Sequence, residues 1–554
     1  MASEEFDALS TRMLRRLLEL NPDCATIFGM HDPYDGLLPH GGFERVAGNM
    51  ALLDEWTVEA ERAASSEELS RDQTVSLEVL GLTRDMYRFA VEDYPLWKMR
   101  PDALENPGSA MLIMLIREYA PLETRLRNLA RRISELPRYL EEFRRRFQGS
   151  KTPEMWTRSA LESCRAFPHF LRSVEALATE KADAQLAAQM SKSVAHAEEE
   201  LRVHEEWLRS LLDSAVAEFA MGRQKFEKML RIRGIGEGPD ELLSLASRLM
   251  AEFRRERAEV ASRMTGGGTV EDARRMVESL RPRSDDDVLE RTKDAVARAR
   301  DFVIRNDIVT VPLDANVIVI STPEFLLDST ATAATYLPAV FESSQDSVYL
   351  VSRVRDPSEL GRTWNLPAID NTAVHEAYPG HHLQGALSNS RPWMHQLPHI
   401  IYTPDTLSPP YESQEGWATY CENMMREKGF LGTDAHAFNQ LDYCLWTACR
   451  VVSEVRLSCG TATVDEIVDM FVNETGCSRD SAKSDVEAFS RMPGYGICYL
   501  LGRHRTMALK KSLLRELRAD FSEKKFHDLV AQNGNLPFHL LEREVRHGMT
   551  AASS

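Results

Sequence analysis

The spacing of apolar positions predicts helix after helix over the first 300 residues, then a change of character. Phe6 to Leu20 repeats apolar residues at helical intervals until Asn21-Pro22 stops it. Met111 to Phe147 is rich in Leu, Arg and Glu and breaks near Leu136-Pro137. Ala176 to Leu230 is nearly free of Gly and Pro and alternates Glu, Arg and Lys on its polar positions, which predicts continuous helix there. Pro239-Asp-Glu-Leu-Leu opens a further helix, with Pro in its first turn and acids behind it, running to Met264 and ending at Gly266-Gly-Gly268. After Asn306 the pattern turns to β-branched runs of strand length: Asp307 to Pro312, Asn316 to Ser321 and Ser347 to Ser352. Helical spacing returns at Gln414 to Lys428, Ala435 to Leu457, Val464 to Glu474 and Leu500 to Arg518. The expected fold is therefore mainly α with a small β-sheet. It divides into a helical N-terminal lobe, 1–300, and a second lobe, 301–554, with a deep cleft between them.

Composition narrows the partners. Hydrophobic residues make up 43% of the chain and charged residues 27%, as in soluble globular proteins. Sixty-seven Lys and Arg stand against 85 Asp and Glu, a formal net charge of −18, which argues against nucleic acid or an anionic membrane as the main partner. The first residues, Met-Ala-Ser-Glu-Glu-Phe-Asp, are acidic and lack the basic and apolar segments of a signal peptide. No stretch is apolar enough to span a bilayer. Eight scattered Cys form no CxxC pair, so neither a disulfide framework nor a cysteine zinc site is expected. The expected location is the cytoplasm. The triple Gly at 266–268 lacks the Lys-Ser/Thr that follows in a phosphate-binding loop and reads as a plain loop.

The chemistry concentrates in His375-Glu-Ala-Tyr-Pro-Gly-His381-His382. Histidine is the usual zinc-ligand nitrogen, and a Glu directly after a ligand His is the general base of HExxH metalloproteases. Here position 379, where HExxH has its second His, is Pro. A helix turns about 100° and rises about 1.5 Å per residue, so His at i and i+4 can share a metal. His381, at i+6, sits about 240° round the helix, and His382, at i+7, about 10 Å along it. Neither reaches the metal of His375 on a straight helix. Pro removes a ladder hydrogen bond and Gly accepts unusual dihedrals, so the backbone is expected to loop out at Pro379-Gly380. Two extra residues would bring His381 into the i+4 place; three would bring His382. A catalytic zinc needs a third ligand and an open position, and Glu415, in Glu412-Ser-Gln-Glu415-Gly-Trp-Ala-Thr-Tyr-Cys-Glu422, is the candidate. Glu422, seven residues on, faces the same way and is placed to orient a ligand His. Glu376 is the candidate base toward water. A small sheet whose edge can bind an extended peptide, set beside a motif helix, is the layout of the zincins.

Three motifs together resemble the bacterial and archaeal "domain of unknown function 885" family. They are His375-Glu-x-x-Pro-Gly-His-His-x-Gln384, Glu415-Gly-Trp-Ala-x-Tyr-x-Glu422 and Pro493-Gly-x-x-x-x-Tyr499-x-x-Gly502, with Leu20-Asn-Pro-x-x-Ala-Thr-x-x-Gly29 similar to the family's opening. The resemblance covers essentially the whole chain. It implies a zincin-like metallopeptidase whose architectural relatives are helical oligopeptidases and carboxypeptidases of the thimet and Taq types. It also implies one zinc ion held by His375, His381 and Glu415, with Glu376 as base. Tyr499 closes the third motif, and a phenol there can donate to a developing oxyanion. Arg503 and Arg450 are candidates for a substrate carboxylate, and Tyr336 for lining the cleft. The chain departs from the family at Tyr495, where Gln is usual, at Ala488-Phe489, where an Arg-Tyr pair is usual, and at Ser458, where His is usual. These changes bear on substrate binding. The implied function is hydrolysis of short peptides. A metal-dependent amidase on a non-peptide amide and a catalytically silent helical scaffold are the alternatives.

Overall fold

A computed structural model describes residues 4–551 apart from 67, 324–326, 328–331 and 355. It is mainly helical with one three-stranded sheet. The strands are β1 (Val317–Ser321), β2 (Ala333–Tyr336) and β3 (Ser347–Val351). Their order is β1-β3-β2; β1 runs parallel to β3, and β2 antiparallel to it with Thr335 opposite Tyr349. Central β3 is buried along its whole length, as its unbroken Val-Tyr-Leu-Val run requires.

Several sequence-based expectations are met closely. Pro239 to Thr265 is one helix, opened by Pro and closed by Gly266 in the left-handed conformation. The four downstream helices are Glu412–Glu427, Asp434–Ser458, Val464–Thr475 and Cys498–Leu517. Others are corrected. Asp307 to Pro312 is not a strand, because it pairs with no neighbour in the sheet and its Thr310 is tied instead to Asp528. The third strand is Ala333–Tyr336, in a segment whose small residues gave no strand signal. The run from Ala176 to Leu230 is interrupted twice. Asp183 caps a new helix through Leu186 N, and residues 213–222 form a connection between helices. The leader reading rests partly on Met1 to Ser3, which lie outside the described residues.

Three hydrophobic clusters fill the molecule, and each draws on residues from both sides of position 300. That position itself lies inside the helix Asp285–Arg305. The largest cluster joins the first helices, around Leu17, Leu53 and Trp56, to Val374, Trp417 and the C-terminal Leu541 and Val545. The histidine motif is seated on this cluster. No helix among the described residues is long and apolar enough to cross a membrane.

Candidate metal centre

The motif helix, Leu366–Glu376, is capped by Asn365, whose side chain accepts from Ala368 N. It ends at Glu376, and a second helix, His381–Ser388, starts after four intervening residues. Between them the Tyr378–Pro379 peptide is cis. The expected loop-out is therefore a complete break, with its register kept. Gly380 N donates to Val374 O at 3.0 Å and Leu383 N to Ala377 O at 3.3 Å, both six residues back instead of four. Two residues are inserted, and His381 takes the place of i+4. Gly380 is required at this turn, since a Cβ there would lie 1.8 Å from His375 O and 2.4 Å from Val374 O. The carbonyl of Pro379, freed by the break, accepts from Trp417 Nε1 at 2.8 Å. That bond clamps the break to the glutamate helix, Glu412–Glu427, which carries Glu415 and Glu422.

The glutamate helix is positioned by a close crossing with Cys498–Leu517. A Cβ on Gly416 would meet Gly502 C at 2.3 Å, and one on Gly502 would meet Glu412 O at 2.0 Å. Two glycines therefore let the two backbones touch. Gln384 extends the lock by donating to Ser413 O at 2.9 Å. Most of the motif letters thus have a mechanical role.

His375 Nε2, His381 Nε2 and Glu415 Oε2 converge. Glu415 Oε2 is 3.4 Å from the first and 3.3 Å from the second, and the three ligand atoms lie within 4.8 Å of one another. Ligands at about 2.0–2.1 Å from a tetrahedral zinc stand about 3.3 Å apart. Glu415 Oε2 is buried and receives no hydrogen bond of good geometry; its close neighbours are the two imidazole nitrogens, and it faces the point where they meet. Two nitrogens and one such oxygen are a donor set that fits zinc. The far side of His375 is held as a ligand histidine should be. Its Nδ1 donates to Glu422 Oε1 at 2.7 Å, and Glu422 Oε2 accepts from Asn371 Nδ2 at 2.9 Å. Asn371, one turn before His375 on the same face, was missed in the sequence, where nothing marks it until Glu422 is placed beside it.

Without a metal these groups share charge. Burial lowers the pKa of His375, but Glu415 and Glu422 on its ring nitrogens, with Glu376 near, raise it to about 10. Burial pushes the Glu415 carboxyl up, but the two imidazoles hold it well below the usual carboxylate range.

His382 does not join the cluster. Its Nδ1 accepts from Ser347 Oγ at 2.7 Å and its Nε2 faces Tyr378 OH at 3.0 Å, while Tyr378 OH donates to Ala315 O at 3.1 Å. Burial lowers its pKa to about 4, so it is a neutral tie between the break and β3. Glu376 is buried beside the cluster; its backbone carbonyl accepts from Thr335 Oγ1 of β2 at 3.3 Å. Tyr499 lies nearly parallel to the His375 ring at 6.3 Å and donates to Tyr495 OH at 3.3 Å.

The basic candidates are engaged elsewhere. Arg450 is bound to Asp485, with Nη2 2.6 Å from Oδ1, and its guanidinium lies over the Phe489 and Tyr499 rings. Arg503 donates to Asn423 Oδ1 at 3.2 Å and faces Phe253. Tyr336 donates to Ser109 Oγ at 3.1 Å and packs on the N-terminal helical cluster, on the opposite face of β2 from Thr335. Tyr495, read from sequence only as a departure, donates to Glu415 Oε1 at 2.6 Å and stacks on Phe489 at 5.3 Å. Ser458 donates to Glu454, whose carboxylate accepts from Gly494 N and Gly496 N. Tyr495, Phe489 and Ser458, singled out in the sequence as departures, therefore meet around one loop, 493–496.

A candidate lipoprotein of Colwellia psychrerythraea superposes with a TM-score of 0.83 at 19% identity, covering 99% of this chain and 99% of that one. A candidate lipoprotein of unknown function from Shewanella oneidensis superposes with a TM-score of 0.74 at 18% identity, covering 97% and 99%. Both show a shared fold. No curated protein matches the sequence. The family of bacterial proteins of unknown function DUF885 matches residues 22–545, and the chain belongs to that family.

Proposed function

We propose that this protein is a zinc-dependent, zincin-like hydrolase that cleaves short peptides. The observation that carries the reading is the convergence of His375 Nε2, His381 Nε2 and the buried Glu415 Oε2 at zinc-ligand spacing. One zinc ion bound there supplies a Lewis acid and acidifies a water. Glu376 follows a ligand His directly and takes the proton of the attacking water on its carboxylate. It returns that proton to the leaving nitrogen as the C–N bond breaks. Glu422 and Asn371 keep His375 in the tautomer whose Nε2 lone pair is free. Tyr499, whose phenol hydrogen rests on Tyr495 OH at 3.3 Å, turns it toward the oxygen that gains charge.

Peptides are favoured over other amides because β2 is an edge of the sheet and is bonded to the backbone of Glu376 through Thr335. An extended chain pairing along that edge would bring its carbonyls past the base. Burial of the ligands, with His375 5% and Glu415 4% exposed, favours short substrates bound in a cleft over folded proteins. The proposed compartment is the cytoplasm, since all eight cysteines are free thiols. Cell fractionation checks it, and recovery in the membrane fraction would align the chain with its lipoprotein neighbours.

The test is elemental analysis of purified, zinc-loaded protein together with cleavage of a peptide library. The expectation is one zinc per chain and peptide products. Glu376→Gln is expected to keep the metal and lose at least about 100-fold in kcat, the scale of a lost general base. Far less than one zinc per chain after loading, or full activity in Glu376→Gln, sinks the proposal.

A further inference from the structure

Glu415 has two oxygens and only one of them faces the histidines. The other, Oε1, accepts from Tyr495 OH at 2.6 Å. That length is typical of a hydroxyl bonded to an ionised carboxylate, about 2.5–2.7 Å, among the stronger neutral-to-charged contacts. Tyr495 is itself held firmly. Its ring stacks on Phe489 at 5.3 Å with an 8° tilt and meets Tyr411 edge-on at 4.9 Å. Its oxygen accepts from Tyr499 OH at 3.3 Å. The loop that carries it is pinned by Glu454, which accepts from the backbone N–H groups of Gly494 and Gly496. Gly494 has a φ of +88° and passes so close to Arg233 that a Cβ would lie 1.9 Å from Nη1.

We propose that Tyr495 is a positioning residue that occupies Glu415 Oε1 and so holds the glutamate to one metal-facing oxygen. The proposal rests on the zinc reading above. A glutamate free to swing can offer a metal both oxygens, which fills the position a substrate needs. With Oε1 bonded to a rigid phenol, only Oε2 remains, and the two imidazoles and one oxygen leave the fourth place of a tetrahedral site open. The phenol also fixes the rotamer of the carboxylate before a metal binds, which lowers the ordering cost of binding. Partners of this kind to ligand groups alter metal affinity by about 10–100-fold.

Two measurements decide it. The first is zinc affinity by chelator competition on wild type and Tyr495→Phe, with the unfolding temperature of both metal-free proteins in parallel. Tyr495→Phe is expected to bind zinc about 10–100-fold more weakly. Tyr499→Phe, which leaves the Tyr495–Glu415 bond intact, is expected to bind within threefold of wild type, a difference of under about 0.7 kcal/mol. The second is the visible spectrum of cobalt-substituted wild type, which reads coordination without any variant. It is expected to show the intense bands of a four-coordinate site, and Tyr495→Phe the weaker bands of a five-coordinate one. The proposal is overturned by unchanged zinc affinity in Tyr495→Phe, by a lower unfolding temperature with affinity unchanged, or by a five-coordinate spectrum in wild type. Wild type that takes up neither zinc nor cobalt overturns the zinc reading itself, and the proposal with it. Uptake by wild type with no effect of Tyr495→Phe overturns only the role of Tyr495.

Discussion

His375 carries the sharpest consequence at the scale of single residues. In the metal-free protein its pKa is raised from 6.5 to about 10. Its favourable ion pairs are therefore fully present below pH 6.5 and are lost as pH rises toward 10. Glu415 has the opposite sign: its pKa is held below 4.5, so its contribution is present above that pH and is lost on acidification. The metal-free protein is thus expected to draw most stability from this pair between pH 4.5 and 6.5. Zinc bound as proposed would compete with the proton on His375 Nε2. Binding near neutral pH is expected to release about one proton, and affinity is expected to rise about tenfold per pH unit between pH 7 and 9. Calorimetry in buffers of different ionisation enthalpy measures both. Gly380 offers a second test. In Gly380→Ala the new Cβ has no space against the carbonyls of His375 and Val374. A loss of about 3 kcal/mol is expected, the upper range for an overpacked site, together with loss of the metal. Urea unfolding and zinc titration check this. The roles proposed for His375, Glu376 and Glu422 were read from their spacing. Those of Tyr495 and Asn371 were not, because one reaches Glu415 across 80 residues and the other is an ordinary helix Asn until Glu422 is seen beside it.

At the scale of elements, the break between the motif helix and His381–Ser388 decides the site. Helix arithmetic shows that something must be inserted between His375 and His381 or His382. The number of residues inserted follows from partners most of which are distant in sequence. Trp417 takes the carbonyl of Pro379, and Ser347 and Tyr378 take both nitrogens of His382. Trp417→Phe removes the stronger of two buried donors and leaves that carbonyl only the weak Cys421 Sγ contact at 3.8 Å, at a cost of about 1–3 kcal/mol. Its zinc affinity is expected to fall as well, since the break is no longer fixed to the helix that bears Glu415. Thermal unfolding and chelator competition separate the two effects. Helices were legible because their apolar stripes repeat over many turns and some of their end signals are local, as with Pro239 and Gly266; the Asp183 cap was not. Strands were not. Asp307 to Pro312 has the right residues with no partner strand, whereas Ala333–Tyr336 has unremarkable residues and is a strand because β3 is there to receive it.

At the scale of the whole molecule, the site depends on packing that crosses the chain from end to end. Trp417 and Val374, on two of the three helices that carry the candidate ligands, belong to one cluster with Leu17, Leu53 and Trp56 from the first helices. Leu541 and Val545 from the last helix complete it. The second cluster joins Leu242, Leu249 and Phe253 to Leu445, Val455 and Leu501, and the third seats Val348 and Leu350 of β3 among helices from the first 211 residues. Apolar periodicity identifies which face of a helix is buried but not against what, so a boundary near residue 300 was the natural inference from the change of pattern. A chain divided there leaves one face of each cluster in water. Burying a single large apolar side chain contributes about 1.5–3 kcal/mol, and domains are stable by only about 5–15 kcal/mol. Fragments 1–300 and 301–554, expressed separately, are therefore expected to lack cooperative thermal unfolding. Mixed, they are expected to regain it along with zinc binding. Calorimetry of each fragment and of the mixture checks this, and a sharp transition in either fragment alone would show that a lobe holds its own core.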